Sequence, residues 1–285
     1  MTPRPWQQVN IAFPDWAEAE HTASAHLAPL LTAAEAGGLL TSWFYIRKAP
    51  CWRVRYQPNT DTTTARAYVH RHLADLKNHR RVDDFTNVVY EPEIHAFGGA
   101  DAMRCAHRIF HLDSRYLLTY LADTRRGTRH NGGHRRELSI LLCNALLHAA
   151  RLDWYEQGDV WASVADHREE PDQIPTGKLQ TLKSDLRRLM TADPAEITRD
   201  GSPLTLAADW VKAYTDAGRE LADLAASGRL RRGLRAILTH HVIFAWNRHG
   251  LPHTTQAVLA TTAMTVIFGP DPAAQHRPNN TDDAP

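Results

Sequence analysis

Two arginines stand two residues apart in an alternating segment, a spacing that could create a binding surface for anions. The segment is Trp52–Tyr56, in which Arg53 and Arg55 alternate with tryptophan, valine and tyrosine. Successive side chains of a strand point to opposite faces, so the two guanidinium groups are expected to share one face. Such a face is either a solvated strand surface or a wall that receives a peptide carboxylate or a tRNA phosphate.

A carboxylate and an imidazole alternate in the segment 87–95 (NVVYEPEIH), which is predicted to be another strand. Glu91, Glu93 and His95 would then share one face, and Tyr90 would lie on the other. A carboxylate beside an imidazole is a plausible general acid/base pair. The same pattern is equally typical of an ordinary polar strand face.

Arginines and histidines concentrate in residues 104–136, and part of this stretch (residues 124–135) contains glycines and is predicted to be a loop. The loop region includes Arg125, Arg126 and Arg129. An arginine-rich loop binds phosphates or acidic peptides, or it is simply a solvated connection.

Histidines and cysteines give weaker signals. His107 and His111 are spaced i,i+4 on a predicted helix, as a metal-binding pair would be, but the sequence fixes no third ligand. The three cysteines lack metal-knuckle spacing, and their odd number argues against a disulfide framework. The sequence therefore predicts no metal site.

These candidate residues must be positioned by a mixture of strands and helices. Residues 8–13 are predicted to form a strand, and residues 43–48 and 52–56 a hairpin. Predicted helices dominate from residue 101 onwards, including 101–110, 137–151, 153–165, 178–190, 204–226, 229–246 and 254–268. Strands at one end and helices at the other predict an α+β fold in a single domain, residues 1–269, followed by a disordered tail, residues 270–285.

Composition narrows the class of protein without assigning a role. The chain has 285 residues, with 33 Lys and Arg against 32 Asp and Glu, and its net charge of +1 excludes a strongly basic nucleic-acid-binding protein. Only five of the 33 basic residues are lysines, and this excess of arginine reflects either codon usage or a surface that binds an acidic partner. No signal peptide or apolar span is predicted, so we expect a cytoplasmic protein.

The chain resembles the thiopeptide-type bacteriocin biosynthesis family, that is, the C-terminal elimination domain of lantibiotic dehydratases and its stand-alone relatives. Five stretches carry this resemblance in order: Trp6–Asp15 (WQQVNIAFPD), Ser42–Tyr56 (SWFYIRKAPCWRVRY), Tyr90–Ser114 (YEPEIHAFGGADAMRCAHRIFHLDS), Arg135–His167 (RRELSILLCNALLHAARLDWYEQGDVWASVADH) and Val242–Leu251 (VIFAWNRHGL). Together they run along most of the chain except its tail.

The resemblance implies one of two chemistries. Elimination domains remove glutamate from a glutamylated Ser or Thr, whereas pyridine synthases join two dehydroalanines in a formal [4+2] aza-cycloaddition, with loss of water and leader peptide. In eliminating members an arginine usually precedes the aromatic-Gly-Gly sequence, where this chain has Ala96, and a histidine precedes the Asn-Arg pair, where this chain has Ile243, Ala245 and Trp246. These departures favour the pyridine synthase.

Under this interpretation the expected site residues fall into three groups. Proton transfer is assigned to Tyr90, Glu93 and His95; substrate binding to Arg53, Arg55, Trp246, Asn247 and Arg248; leader binding to Arg125, Arg126 and Arg129. The leader is expected to bind as an extended segment along a sheet edge or groove. The expected partners are the precursor peptide, with its leader and dehydrated core, and other enzymes of the same pathway.

The resemblance implies no metal, nucleotide or redox cofactor, and neither a nucleic-acid nor a membrane partner. Two alternatives stay open at this point. One is the glutamate-eliminating subunit of a split dehydratase, and the other is a non-catalytic subunit that presents the leader peptide, of which a tRNA-binding accessory is a weaker version.

Overall fold

Alternating apolar residues in the first ninety positions build one antiparallel sheet in the computed structural model, which describes residues 5–59, 61–125, 134–169, 176–199 and 205–269. The strands are β1 (Gln7–Ala12), β2 (Leu40–Lys48), β3 (Cys51–Pro58) and β4 (Asp84–Val88). Their order across the sheet is β2-β3-β1-β4, with each neighbouring pair antiparallel. The predicted first strand and hairpin are confirmed.

Helices make up most of the remaining described residues, which confirms the α+β class. They are α1 (Ala19–Thr22), α2 (Ala28–Ala36), α3 (Thr62–Asn78), α4 (Ala100–Arg125), α5 (Arg135–Ala149), α6 (Trp154–Asp166), α7 (Thr176–Thr191), α8 (Pro194–Ile197), α9 (Ala208–Ala226), α10 (Leu234–His249) and α11 (His253–Phe268). A short π-helical segment, Ala23–Leu27, joins α1 to α2. The predicted tail lies outside the described residues, so the boundary at residue 269 stays a prediction.

The sheet presents two different faces. One face carries Val9, Ile11, Trp52 and Val54, which are 0–2% exposed and belong to the hydrophobic core. The other face carries Arg53 and is less apolar, as the alternation of polar and apolar residues in β3 requires.

The predicted strand over residues 87–95 is wrong in its position. The strand is β4, which ends at Val88, and residues 94–98 form a turn instead. Pro92 cannot donate a ladder hydrogen bond, and Gly98 and Gly99 adopt φ values of +83° and +113°, which only glycine adopts freely. The chain therefore leaves the sheet before Tyr90.

The helix predicted to span residues 101–110 is much longer, since α4 continues to Arg125. Asp113 and Ser114 do not end it because both side chains are fully buried and find partners in other elements. This length lets α4 pack against β2 around His111 and Ser114 and also against α9. None of the helices among the described residues has the length and apolar character needed to cross a bilayer.

Candidate active site on the arginine face of the sheet

The register of the sheet decides what surrounds the two strand arginines. Gln8 of β1 and Phe44 of β2 flank Arg55, while Asn10 and Ile46 flank Arg53. Paired residues of antiparallel strands project from the same face, so these side chains form two parallel rows. The expected common face of Arg53 and Arg55 is therefore present, with polar neighbours on β1.

Arg55 is the buried centre of this face, with only 4% of its surface exposed. Its Nε donates to Gln8 Oε1 at 2.8 Å, and its guanidinium carbon lies 4.1 Å from the centre of the Tyr90 ring. Its Nη2 lies 3.9 Å from Glu93 Oε1. Burial lowers the pKa of Arg55, while Tyr90 and Glu93 oppose the shift, so the guanidinium stays charged at neutral pH.

Two polar atoms of this cluster are buried without a hydrogen-bond partner in the part of the chain that the structure describes. They are the donor Nη1 of Arg55 and the acceptor Oε2 of Glu93. An unpartnered buried polar group costs about 1–3 kcal/mol, a cost that a bound group of matching polarity would remove. A group with one acceptor and one donor, such as a peptide amide, would match both atoms.

A tyrosine–histidine pair lies next to Arg55. The Tyr90 hydroxyl is 2.9 Å from His107 Nε2, and the Trp6 ring packs over the imidazole with centroids 4.5 Å apart. Burial, and then the charge of Arg55, lowers the pKa of His107 to about 4, so the imidazole is neutral at physiological pH. Burial also raises the pKa of Tyr90. In the tautomer protonated on Nε2, His107 donates to the Tyr90 oxygen, which leaves the single hydroxyl hydrogen of Tyr90 free to be donated to another acceptor.

The structure thus brings together Arg55, Tyr90 and Glu93, but for a reason that the alternation argument did not contain. Tyr90 and Glu93 leave the sheet in the segment after β4 and fold back over Arg55. His95 lies in the following turn and is exposed. The expected pairing of Glu93 with His95 on one strand face is therefore wrong.

Sequence reasoning missed Gln8, Trp6 and the role of His107. Gln8 is adjacent to Arg55 only because β1 lies between β3 and β4, an order that the sequence does not reveal. His107 and His111 do share a face of α4, but they have different partners: His111 contacts Trp43 and Glu35, not Tyr90.

The substrate-binding residues predicted on α10 do not join this site. Trp246 has no exposed surface and stacks on Trp161 with centroids 5.7 Å apart. Asn247 accepts from Gln256 and lines a separate cleft of 510 Å³, which also contains Arg47.

Arg248 is 1% exposed and pairs with the buried carboxylate of Asp113, Nε to Oδ2, at 2.6 Å. The Arg248 guanidinium also lies 4.5 Å from the centre of the Phe110 ring, and Phe110 packs on Phe44 beside Arg55. Arg248 thus supports the site from behind rather than lining it.

Asp113 holds Arg248 in this position. Its carboxylate accepts from Trp210 Nε1, the Tyr214 hydroxyl and Arg248 Nε, and it lies 3.2 Å from His249 Nε2. Burial alone would raise the pKa of Asp113, but the charge of Arg248 and these hydrogen bonds hold it well below its usual range.

A cation from another element of the chain lies near Ala96. Arg232, in the segment before α10, donates from Nη1 to the Ala96 carbonyl at 3.2 Å, and the same Nη1 lies 3.4 Å from His240 Nε2. The predicted leader-binding Arg126 and Arg129 lie outside the described residues, as does the side chain of Arg125 at the end of α4.

Comparisons with known proteins agree with this architecture. Residues 6–266 match the family described as the C-terminal region of lantibiotic biosynthesis dehydratases. The tRNA-dependent lantibiotic dehydratase MibB from Microbispora sp. 107891 has a similar fold, with a TM-score of 0.68 at 16% identity over 97% of this chain. The chain spans only 29% of the length of MibB.

Two other solved structures correspond to almost the whole chain in both directions. TsrL has a TM-score of 0.60 at 18% identity, with 94% of this chain and 99% of TsrL covered. The pyridine synthase TbtD from thiomuracin biosynthesis has a TM-score of 0.61 at 13% identity, with 92% and 97% covered. A search of curated proteins gave no match. Identities this low show a shared fold alone, whereas the family match covers most of the sequence, and the chain therefore belongs to the family of lantibiotic dehydratase C-terminal domains.

Proposed function

We propose that this chain is a pyridine synthase of the thiopeptide type. It would join two dehydroalanines of a leader-bearing precursor peptide in a formal [4+2] aza-cycloaddition, with loss of water and leader peptide. The observation that carries the proposal is the pair of unpartnered atoms, Arg55 Nη1 and Glu93 Oε2, beside the Tyr90–His107 pair. A donor and an acceptor at one place match the oxygen and the N–H of an amide, which is the group that must react.

The reaction needs one amide of the substrate in its imidic acid form, so that the dehydroalanine becomes a 2-azadiene. In the proposed step, Glu93 takes the proton from the amide nitrogen while Tyr90 delivers a proton to the amide oxygen. Arg55 stabilises the negative charge that develops on that oxygen. The proton on Glu93 then returns to Tyr90 before the next turnover, so that no proton is gained or lost.

Two carbon–carbon bonds then form without a covalent link to the protein, one between the methylene carbons of the two dehydroalanines and one between the imidic carbon and the α-carbon of the second dehydroalanine. Here the contribution of the chain is to hold diene and dienophile in contact. Effective molarities of oriented reactants correspond to about 7–11 kcal/mol of barrier lowering, so positioning supplies a large share of the catalysis. Beside the row that contains Arg55, the row formed by Arg53, Asn10 and Ile46 would be the adjoining surface for the substrate.

The direct test is to incubate the protein with a precursor peptide that carries two dehydroalanines and to follow the products by mass spectrometry. We expect a released leader peptide and a product lighter by that leader plus water. Tyr90→Phe should reduce turnover by about 10²-fold or more, the range for loss of a general acid. Tyr155→Phe, at a tyrosine that is 66% exposed on α6, is the matched control and should leave turnover unchanged.

Glutamate elimination is the second candidate, and Arg232 is the observation that favours it. Its guanidinium reaches the Ala96 carbonyl, so a cation from another element stands near the place where the eliminating members carry theirs. If a glutamylated peptide loses glutamate while the bis-dehydroalanine peptide stays intact, the synthase proposal is wrong. If neither peptide changes and the leader binds tightly, the chain is a presenting subunit.

A further inference from the structure

The two edges of the sheet are treated differently by the rest of the chain. At the β2 edge, α4 supplies side chains to the outward backbone groups. His111 Nδ1 lies 2.8 Å from the Trp43 carbonyl oxygen and 3.2 Å from its amide nitrogen, and the Tyr45 amide donates to Ser114 Oγ at 3.3 Å. This edge is closed to any further strand.

The β4 edge has no such cover among the residues that the structure describes. β4 pairs with β1 on one side, and no described strand pairs with its other side. Apolar side chains are exposed at its end: Val88 is 42% exposed and Val89 is 82% exposed. Natural proteins usually protect an edge strand with charges or a covering element, so an open edge that ends in two exposed valines is a surface suited to pairing.

This edge leads directly to the candidate site. Val88 of β4 is paired with Gln8 of β1. Gln8 is in turn paired with Arg55 of β3 and accepts a hydrogen bond from it. Adjacent strands lie about 4.8 Å apart, so a fifth strand outside β4 would run about 14 Å from the backbone of Arg55. Four or five further residues of an extended peptide are enough to turn from that strand into the cluster around Tyr90.

The charges beside the edge favour one kind of peptide. Arg66 and Arg71 lie on α3, which reaches β4 through the hydrogen bond from His70 to Asn87. Neither arginine has a carboxylate within 4 Å among the described residues, so neither charge is neutralised, although Arg66 donates one hydrogen bond to Gln7 Oε1 at 2.7 Å and Arg71 lies 5.7 Å from the centre of the Tyr68 ring. Lys77 is already paired with Asp84. An extended segment with apolar side chains on one face and acidic ones on the other matches this surface.

We infer that an acidic, extended segment of the peptide substrate adds to the outer edge of β4 as a fifth strand and thereby delivers the reacting residues to the Arg55–Tyr90 cluster. The inference rests on the proposed function only in taking the substrate to be a peptide. Main-chain hydrogen bonds would give affinity, and the exposed valines and α3 arginines would give specificity.

Hydrogen exchange of the full chain, with and without an unmodified precursor peptide, tests the docking without any chemistry. Free protein should exchange the outward amides of residues 84–89 quickly, and the peptide should protect them. Synthetic twelve-residue windows of that peptide, N-methylated at alternate positions, should lose about fivefold in affinity per blocked hydrogen bond, in one of the two alternations only.

A matched pair of variants tests the charge argument. Val89→Asp and Val89→Lys both remove the same exposed valine and should fold alike, which thermal melting checks. The precursor peptide should bind the lysine variant about fivefold more tightly than the aspartate variant at low salt, with the difference shrinking as salt is added.

Three results would overturn the inference. The amides of β4 could be protected already in the free protein, by another part of the chain or by a second copy. The peptide could protect a different region. Both alternations of N-methylation could weaken binding equally. Failure of the cycloaddition assay while β4 is protected would instead refute the proposed function and leave the docking intact.

Discussion

Replacing Arg55 with methionine separates a binding role from a packing role, because the first predicts a nearly unchanged stability and the second a large loss of stability. The variant loses the stacking on Tyr90, about 2 kcal/mol for a desolvated cation, and a charged hydrogen bond to Gln8, about 2 kcal/mol. It also relieves the burial of a guanidinium whose Nη1 has no described partner, which recovers about 1–3 kcal/mol for that atom and more for the charge. We therefore expect the free energy of unfolding to change by less than about 2 kcal/mol.

Turnover should respond very differently. If Arg55 Nη1 binds the substrate oxygen, its loss should lower kcat by about 10²–10³-fold, as for the removal of one donor to a developing oxyanion. Urea unfolding followed by circular dichroism gives the stability, and mass spectrometry of the peptide product gives the rate. The informative outcome is a folded protein of nearly normal stability that is almost inactive.

Arg47→Met is the matched control, since Arg47 is another strand arginine with little exposure, 13% of its side chain, stacked 4.7 Å from the Trp52 ring and paired with Glu20 at 2.6 Å. It lies on the opposite face of the sheet, so this variant should lose stability and keep turnover. A loss of more than about 3 kcal/mol in Arg55→Met, with activity falling only as the folded fraction falls, would refute the reasoning and make Arg55 a packing residue.

Three further predictions concern the scaffold around the site. Asp113→Asn should destabilise the chain by about 3–5 kcal/mol, because it leaves a buried guanidinium unpaired, and Tm in a calorimetric scan should fall by about 6–15 °C; an unchanged Tm would contradict this. Because the pKa of His107 is about 4 in the folded chain, the unfolded chain takes up a proton between pH 6.5 and about 4 that the folded chain does not. The free energy of unfolding therefore falls as the pH is lowered through this window. In His107→Phe the urea midpoint should fall less steeply over the same range. Gly250→Ala should lower the free energy of unfolding by about 1–2 kcal/mol because of its φ of +68°, and it should also displace Arg47, since an added Cβ would lie 2.5 Å from Nη1. Gly228→Ala is the control, with a φ of +67° and open space around it, and should show the backbone cost alone in the same urea titration.

The sheet could be predicted where local alternation determines it. The hairpin of β2 and β3 follows from aromatic and β-branched residues at every second position, so the shared face of Arg53 and Arg55 was accessible from sequence. The strand after residue 80 was placed too late because its residues are nearly all exposed, which leaves no apolar face to mark it. Its ladder partner, β1, is more than seventy residues away in the chain.

The site itself was only partly predictable, because its contacts join distant segments. Tyr90 and Glu93 were identified from residue type, but their meeting around Arg55 depends on a turn closed by Gly98 and Gly99. The spacing of His107 and His111 indicates only a possible metal pair, since the sequence cannot say that Tyr90 folds back onto α4. The prediction that Arg248 lines the substrate site is wrong because this arginine is buried, which is rare, and its partner Asp113 lies 135 positions earlier in the chain.

The contacts that hold α4 in place also determine which side of the site can open. Arg55 and Tyr90 are 4% and 8% exposed, so a substrate reaches them only through a conformational opening. Withdrawing α4 would break its bonds to the β2 edge and the Asp113–Arg248 pair together, whereas outward movement of the segment 89–93 would break the Tyr90–His107 hydrogen bond and the contacts of Tyr90 and Glu93 with Arg55, and would leave the buried Phe97 in place. We therefore expect this segment to act as the gate, with Gly98 as its fixed pivot, because an added Cβ there would lie 2.3 Å from Ile237 and the Arg231 amide bonds its carbonyl. Opening and closing of that segment would then set the rate at which peptide enters and product leaves.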